Sequence, residues 1–584
     1  MPSRSRFWVP RNHPAPTEGF RLWTLGSRRL SKAFALAALV GAVVTATASA
    51  QTADLVLVNG KVVTVDAKES VVEALAVRDG RIVATGTSAA MRKLAASNAR
   101  TIDLQGRTVI PGLIDSHLHA IRAALSFSTE VNWIGAKSIE EALGRIRKAA
   151  QTKPRGSWLI VAGGWNEQQF AEKRRPTQVE LEAAAPDNPV YVQLGYGWAV
   201  LTDDGLRALK IAADADIPNG GRLERDASGK PTGAVTGPQA AIIALFDRLP
   251  RPTYAQQVEG TRAFFREMNR LGLTGAMDPG GNNLTPADYA AVQDVWRRGE
   301  MTVRVAYSLN GQTSGKEFDD YKSLLALVPM GFGDGMLHFV GLGERLTEAM
   351  NNNPRPTDAD KEKYFEIARW AAQRGYGLTM HWGPDATVDH LLTIIERVNK
   401  ETPIAPLRWS IAHLNDASPK TLERMKALGV GWTVQDAMYF GGEGFVKQSG
   451  PEAARRTPPV VSADKIGVHI GGGTDAHRVA SYNPFTSLQW FLDSKTVSGL
   501  VMRGPEEIPT RQQALRFYTK GSAWFSHDDD TRGSLEAGKL ADLAVLSKDY
   551  LTVPVGEIGD IESVLTMVGG KVVYGAGPFK SLER

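Results

Sequence analysis

A short apolar run leads directly into two histidines that are separated by a single residue. It reads Val-Ile-Pro-Gly-Leu-Ile-Asp-Ser-His-Leu-His and spans residues 109–119. Alternate side chains of a β-strand share a face, so His117 and His119 are predicted to point the same way. Two imidazoles on one face at a strand end form half of a site for a cation such as zinc. A pattern this short also arises by chance, and the two histidines are then ordinary polar residues at a strand end.

Both ends of the chain carry β-type runs bounded by tight-turn residues. Residues 55–65 and 76–86 contain Asn-Gly and Asp-Gly, and residues 564–574 contain Gly-Gly-Lys. Such dipeptides are typical of β-hairpins. The two arms, residues 52–108 and 532–584, are therefore predicted to fold together as one composite β-sandwich domain.

The sequence resembles the amidohydrolase superfamily in three places. These are the β-type flanks, residues 109–119, and the run Gly-Ser-Leu-Glu-Ala-Gly-Lys-Leu-Ala-Asp-Leu at 533–543. The similarity is to the branch of large amidohydrolases related to N-substituted formamide deformylase, and it extends over nearly the whole chain after residue 50. It implies an α/β fold, a (β/α)8 TIM-type barrel. It also implies a metal-dependent hydrolase that acts on carbon–nitrogen bonds through a metal-activated water.

The central part of the chain has the alternation expected of parallel βα units. Residues 109–531 alternate apolar runs, glycine breaks and amphipathic helices. A (β/α)8 barrel needs about 250 residues, so this longer segment must contain an insertion. Residues from about 130 to 255, after the first strand, are predicted to form it as a lid over the barrel mouth.

Charge and cysteine content exclude several classes of partner and ligand. The chain has a net charge of +5, but residues 1–50 hold seven basic residues and one acidic residue, which leaves 61 basic and 62 acidic residues in the remainder. A nearly neutral protein gives no reason to expect nucleic acid or an anionic membrane as a partner. The chain has no cysteine, which excludes disulfides and thiolate ligands. Any metal must therefore be held by histidines and carboxylates.

Residues 1–50 are predicted to be an export signal. Arg28 and Arg29 precede an apolar run at 33–47, and Ala-Ser-Ala at 48–50 supplies a cleavage site. The apolar run is too short to span a bilayer, so no stable membrane anchor is expected. The paired arginines resemble a twin-arginine signal, with the ordinary secretory route as the alternative. The mature protein is accordingly expected in the periplasm or outside the cell.

In such a barrel the ligands come from the carboxyl ends of different strands. His117 and His119 follow the first strand, and later apolar runs end at His381, His413 and Asp475. A single histidine is more often a hydrogen-bonded core residue than a ligand, but the ordered set favours a divalent metal site. Imidazole and carboxylate ligands suit zinc, and they also accept manganese or iron.

One more ligand decides whether the site holds one ion or two. Many binuclear relatives carry a carboxylated lysine at the end of the fourth strand, but the corresponding run 336–345 has no lysine. Glu344 matches that group in charge and donor atoms and is the candidate bridging ligand. Alternatively, Glu344 pairs with Arg345 or starts a helix. In that case the site holds a single ion, and His413 contacts substrate or water. The ligands of that ion are then His117, His119, His381 and Asp475.

The expected chemistry assigns roles to two aspartates. A bound cation lowers the pKa of its water to about 7, and Asp475 is predicted to be the general base that passes the proton to the leaving nitrogen. His477, two residues later, either contacts substrate or caps the following helix. Asp278 lies in a segment that resembles the family's third-strand turn, where it is expected to order the loop.

The substrate is expected to be a small amide, N-formyl compound or cyclic amide. Trp165 and Trp382, with Trp198 and Tyr439, either line an aromatic pocket for it or belong to the core. Relatives often carry a histidine where this chain has Gly197, so one family substrate-binding group is missing. A metal-dependent deaminase and a catalytically dead barrel used for binding are the alternatives, although the intact ligand set argues against the second. Oligomerisation stays open.

Overall fold

The computed structural model of the protein describes residues 52–281 and 284–583, so the expected export signal at 1–50 lies outside the described residues. Within these ranges, no helix has both the length and the apolar character needed to cross a membrane.

Eight parallel strands form the central sheet and follow one another around it in chain order. From first to last they are Leu113–Asp115, Leu273–Asp278, Arg304–Leu309, Leu337–Leu342, Gly377–Trp382, Ser410–His413, Gly431–Gln435 and Ile470–Gly473. The Ser116 N–H donates to the Gly472 carbonyl at 2.9 Å, which joins the last strand to the first. This topology confirms the predicted (β/α)8 barrel.

A helix follows each barrel strand before the next one begins. In strand order the first such helices are Ala120–Ser126, Ala290–Arg297, Glu317–Leu324, Asp358–Gln373, Asp385–Glu401, Pro419–Leu428, Ala437–Ser449 and Pro484–Asp493. A further long helix, Tyr254–Arg270, leads into the second strand. Shorter helices lie at Pro451–Ala454, Val460–Ile466, Arg511–Arg516 and Ser522–Phe525.

Local sequence explains where these helices begin, as the one before the fifth strand illustrates. The Thr357 hydroxyl accepts the Asp360 N–H at 3.2 Å, and the Asp360 carboxylate accepts the Thr357 N–H at 3.0 Å. This reciprocal capping box satisfies two backbone donors at the helix start. Buried residues at 364, 365, 367, 368, 371 and 372 then form one apolar stripe against the barrel.

The chain between the first and second barrel strands builds a separate layer. Its five-stranded sheet has the order Arg222–Arg225, Pro231–Thr236, Trp198–Leu201, Val190–Leu194 and Leu159–Val161. Its helices are Ile139–Thr152, Gln178–Ala184, Asp203–Ala208 and Gln239–Phe246. The Gly164 N–H donates to the Arg478 carbonyl, and the Asn166 amide donates to the Phe440 carbonyl. The insertion therefore contacts the loop after the last barrel strand and the helix Ala437–Ser449 after the seventh strand.

Because this insertion adds no strand to the barrel, the Asp278 segment ends the second barrel strand. The assignment to a third-strand turn was wrong for that reason.

Two sheets form the β-sandwich at the chain ends. The four-stranded sheet has the order Arg81–Gly86, Ala74–Arg78, Ala53–Val58 and Ala95–Asp103, and the helix Ser88–Leu94 lies between its last two strands in sequence. The six-stranded sheet has the order Lys571–Gly575, Ser563–Val568, Leu543–Leu546, Thr108–Pro111, Lys61–Val63 and Val71–Val72. Leu57 and Val77 of one sheet share a buried core with Leu565 of the other. Both arms of the chain thus contribute to the second sheet, next to the strand that leads into the barrel.

Candidate metal centre

The two histidines that open the site lie just beyond the first barrel strand. That strand ends at Asp115, and His119 immediately precedes the helix Ala120–Ser126. The expected alternation along one strand face is therefore wrong, because the chain has already turned. The Asp115 carboxylate accepts the His117 N–H at 2.9 Å and the Thr474 hydroxyl at 2.7 Å. Asp115 thus holds the turn and fixes it to the end of the last strand.

The His119 ring is oriented by the loop after the second strand. Its Nδ1 lies 2.6 Å from the Gly280 carbonyl oxygen, which can only accept a hydrogen bond. Nδ1 must therefore carry a proton, so a cation that displaces the proton on Nε2 can be bound only through Nε2. The Asp278 carboxylate accepts the N–H groups of Gly280 and Ile121 at 2.9 and 2.7 Å. These contacts agree with the loop-ordering role expected for Asp278.

Glu344 lies among the histidines at the end of the fourth strand. Its Oε2 is 3.4 Å from His117 Nε2, 2.8 Å from His381 Nδ1 and 3.3 Å from His413 Nε2. Its Oε1 is 3.5 Å from His119 Nε2. The neighbouring Arg345 pairs with Glu348 instead. The structure therefore places the Glu344 carboxylate at the centre of the imidazole cluster.

The fifth and sixth strands bring in the remaining histidines. His381 lies within its strand, and its Nε2 is 2.9 Å from the amide nitrogen of Asn352, whose carbonyl oxygen accepts the Gly383 N–H. His413 ends its strand with a left-handed φ of 72°, and its N–H donates to the Gln435 side-chain oxygen at 2.8 Å. Sequence reasoning missed Asn352 and Gln435, because neither belongs to a recognisable motif.

Asp475 completes the site from the last strand. It also has a left-handed φ, 57°, a conformation that costs a non-glycine residue energy and is concentrated at functional sites. Its N–H donates to the His117 carbonyl at 2.8 Å. Its Oδ1 is 3.2 Å from His119 Nε2 and 3.7 Å from His117 Nε2. The structure thus brings all six predicted ligands together.

The donor spacing fits a tetrahedral cation. Ligands bonded at about 2.0–2.1 Å in a tetrahedron lie about 3.3–3.4 Å apart. The four contacts of His117 and His119 with the two carboxylates span 3.2–3.7 Å. Neither ring nitrogen of the fully buried His117 has a hydrogen-bond partner among the described residues. A buried polar atom without a partner is costly, and a metal–nitrogen bond removes that cost.

Charge gives a second, independent reason for a cation. Burial alone would raise the pKa of Glu344, but the facing imidazoles, His381 first, hold it well below its usual value. Burial and the charge of Arg122 oppose protonation of His119, yet hydrogen bonds to Asp475 and Glu344 raise its pKa to about 9. The two buried carboxylates therefore attract positive charge to this centre, and a divalent cation supplies it.

We expect His117→Ala to lose most of the bound cation, because this ring contacts both carboxylates and has no other partner. Titration calorimetry with zinc measures the stoichiometry. His390→Ala on the helix Asp385–Glu401 removes a histidine outside the centre and is the matched control. Unchanged stoichiometry in His117→Ala would contradict the assignment.

A model described as the Amidohydrolase family matches residues 100–574 of the sequence. The chain belongs to the amidohydrolase family. The amidohydrolase is 27% identical to the N-substituted formamide deformylase of Arthrobacter pascens over 546 residues. That alignment covers 90% of this chain and 99% of the deformylase.

Solved structures share its fold. A metal-dependent hydrolase of Pyrococcus horikoshii OT3 has a TM-score of 0.62 at 22% identity, covering 86% of this chain and 99% of the other. The zinc complex of atrazine chlorohydrolase TrzN from Arthrobacter aurescens TC1 has a TM-score of 0.51 at 17% identity, covering 89% and 95%. These solved structures show the shared fold, and the family assignment confirms the expectation of a metal-dependent hydrolase of carbon–nitrogen bonds.

His477 of the amidohydrolase belongs to a separate buried network. Its Nε2 is 3.1 Å from Glu130, which also pairs with Arg478 at 3.0 Å. Burial first, and then the charge of Arg478, lowers the pKa of His477 to about 4. It does not cap the next helix, which begins at Pro484 and is capped by Asn483. Its neutral ring therefore connects the loop after the last barrel strand to Glu130, which follows the helix Ala120–Ser126.

The two tryptophans proposed for the substrate pocket are buried in apolar cores. Trp165 is 2% exposed, packs among aromatic rings of the insertion and donates its indole N–H to the Gln193 carbonyl. Trp382 is 1% exposed in the barrel core and donates to the Thr387 hydroxyl. Neither ring has a free face for a substrate, because large aromatic residues at strand ends are used here for packing. Of the two alternatives that the sequence left open for these residues, their burial favours the core over the substrate pocket.

Proposed function

We propose that this amidohydrolase hydrolyses N-acyl or N-formyl amides of small molecules. The observation that carries the proposal is the convergence of four imidazoles and two carboxylates at the barrel mouth. The likeness to N-substituted formamide deformylase supports an amide-type substrate. When bound at such a centre, a divalent cation lowers the pKa of a water molecule and polarises a carbonyl group.

We also propose that zinc is the metal and that Glu344 is shared between two ions. His117, His119 and Asp475 form one group of donors within 4.8 Å of one another, and His117, Glu344 and His413 form an overlapping one. Because His117 Nε2 has one lone pair, it would bind one ion with His119 and Asp475, and His413 would bind the other with Glu344. His381 lies beside Glu344 and completes the second group. Imidazole and carboxylate donors suit zinc, and the TrzN structure was solved with that metal.

We propose Asp475 as the group that moves the proton. Burial raises the pKa of Asp475, but a hydrogen bond with His119 and the charges of His413 and His117 outweigh that effect. The net result is a lowered pKa, so the carboxylate is ionised at neutral pH. Its side chain is still 19% exposed at the mouth. The attacking water bonds to the carbonyl carbon and gives its proton to Asp475. Asp475 returns the proton to the nitrogen as the carbon–nitrogen bond breaks, releasing a carboxylic acid and an amine.

Removal of the metal should abolish this activity. We expect a chelator to lower turnover of N-formyl and N-acyl amides to the background rate and added zinc to restore it. Product analysis identifies the reaction class, since amide hydrolysis releases a carboxylate whereas a deaminase releases ammonia. Full activity in verified metal-free protein would refute the proposal.

Export of the protein is a further part of this proposal. It rests on Arg28, Arg29 and the apolar run that follows. Amino-terminal sequencing of the mature protein should begin near Gln51, and an intact amino terminus would contradict export by cleavage.

A further inference from the structure

The insertion makes backbone contact with the residues that follow Asp475. The strand Leu159–Val161 of its five-stranded sheet is followed, one residue later, by a Gly-Gly pair. The Gly164 N–H of this pair donates to the Arg478 carbonyl at 3.2 Å. Arg478 lies on the loop after the last barrel strand, and we call residues 474–478 the Asp475 loop. The insertion is therefore joined to the loop that carries the proposed proton-transfer group.

Both positions of the Gly-Gly pair require glycine. Gly163 and Gly164 have φ values of 129° and 76°, which residues with a side chain rarely adopt. A Cβ atom at Gly163 would overlap the Arg478 carbonyl group. A Cβ atom at Gly164 would lie 2.8 Å from the His477 carbonyl oxygen. A side chain at either position must therefore push the loop and the insertion apart.

A buried ion pair reinforces this backbone contact. The Glu130 carboxylate lies 3.1 Å from His477 Nε2 and accepts an N–H of the Arg478 guanidinium at 3.0 Å. The Val131 N–H donates to the Ile160 carbonyl at 2.7 Å, which fixes the backbone beside Glu130 to the strand before the Gly-Gly pair. The three side chains of this network are only 7–10% exposed. Because removal of one partner from a buried ion pair leaves the other charge uncompensated, loss of Glu130 should loosen the loop.

The barrel fixes the first half of the same loop. The Asp115 carboxylate accepts the Thr474 hydroxyl at 2.7 Å, and the Asp475 N–H donates to the His117 carbonyl at 2.8 Å. The positive φ of Asp475 costs energy, so it persists only where the surrounding contacts hold the backbone. The barrel supplies such contacts up to Asp475, and the insertion supplies them two and three residues later.

We propose that Gly163, Gly164 and Glu130 are positioning residues for Asp475. Their contacts with the second half of the Asp475 loop hold its carboxylate where it receives a proton from the attacking water and returns it to the leaving nitrogen. The insertion thus takes part in catalysis, although none of the six proposed metal ligands lies in it. This inference rests on the role of Asp475 in the proposed function, but its claim about the loop can be measured without turnover.

Gly163→Ala is expected to lower kcat on an N-formyl amide by about 10- to 100-fold, because a misplacement of about 1 Å can cost about 10²-fold in rate. KM should change less than about threefold, since the substitution acts on proton transfer and not on binding. Glu130→Gln should show the same pattern, and it tests the inference even if Gly163→Ala does not fold. Steady-state kinetics in excess zinc, with bound zinc measured on the same sample, separates this effect from loss of metal. An unchanged kcat in either folded variant, or a loss that follows the bound zinc, would overturn the inference.

Amide hydrogen exchange, followed by mass spectrometry, reports on the loop in the zinc-loaded protein without any substrate. We expect a peptide that spans residues 474–478 to exchange at least about tenfold faster in Gly163→Ala and in Glu130→Gln, because lost contacts lower the free energy of local opening. Exchange at the wild-type rate would overturn the inference, whether or not the enzyme hydrolyses an amide. Faster exchange in the variants of an enzyme that hydrolyses no amide would refute the proposed function alone.

Two control variants change the insertion away from the loop. Gly195 also has a positive φ, 52°, but a Cβ atom there would have no neighbour within 4 Å among the described residues beyond its own chain neighbours. Glu140 is exposed and pairs with Arg147. Gly195→Ala and Glu140→Gln should keep kcat and loop exchange within about threefold of wild type, since substitutions away from such contacts have small effects. Changes as large as those in the two test variants would show that any alteration of the insertion acts alike, and would overturn the inference.

Discussion

Asp475→Asn is expected to lower kcat by about 10³-fold, within the range of about 10²–10⁴ for loss of a general acid–base group. The amide keeps an oxygen toward His119 and His117 but cannot accept the proton of the attacking water. KM should change much less, because the substrate-binding walls are untouched. Steady-state kinetics on an N-acyl amide, with zinc content measured on the same sample, separates loss of proton transfer from loss of metal.

Asp416→Asn is the matched control for this prediction. Asp416 follows the sixth barrel strand at the same end of the barrel, and its carboxylate accepts the Asp385 N–H at 2.9 Å. We expect its kcat to stay within about threefold of wild type, since most surface substitutions away from such a site have small effects. Turnover near wild type in Asp475→Asn would remove Asp475 from the mechanism.

Glu344→Gln should disrupt the metal centre itself. The substitution removes the negative charge that four imidazoles face, and it leaves a neutral amide where a bridging carboxylate is required. We expect the zinc content to fall from two ions per chain to one or fewer, and kcat to fall at least about 10²-fold. Inductively coupled plasma mass spectrometry gives the ion count.

The nearby Glu348→Gln tests whether any loss of acidic charge produces this effect. Glu348 is exposed, pairs with Arg345 and does not contact the histidines that the structure describes in the centre. Its zinc content should equal that of wild type. Two ions retained in Glu344→Gln would instead favour the reading in which the glutamate only orients the histidines.

The sequence was sufficient to predict the barrel and the six candidate ligands because these depend on local patterns. Apolar runs followed by a histidine indicated the ends of three barrel strands, and parallel strands gather their carboxyl ends on one side. Glu344 was found through the family resemblance, as a carboxylate at the position where relatives carry a modified lysine.

Contacts between distant segments were beyond such patterns. Nothing adjacent to Asn352 or Gln435 in the chain indicates that they would orient His381 and His413. The sequence left Trp165 and Trp382 open between core and pocket, because an aromatic residue has the same local sequence in either place.

The most direct test of the metal centre is anomalous diffraction from crystals of the zinc-loaded protein, collected on both sides of the zinc edge. We predict a zinc peak within about 2.0–2.2 Å of both His117 Nε2 and His119 Nε2, with Asp475 and Glu344 as further ligands. Zinc bound only elsewhere in the molecule, with these two nitrogens free of metal, would contradict the account.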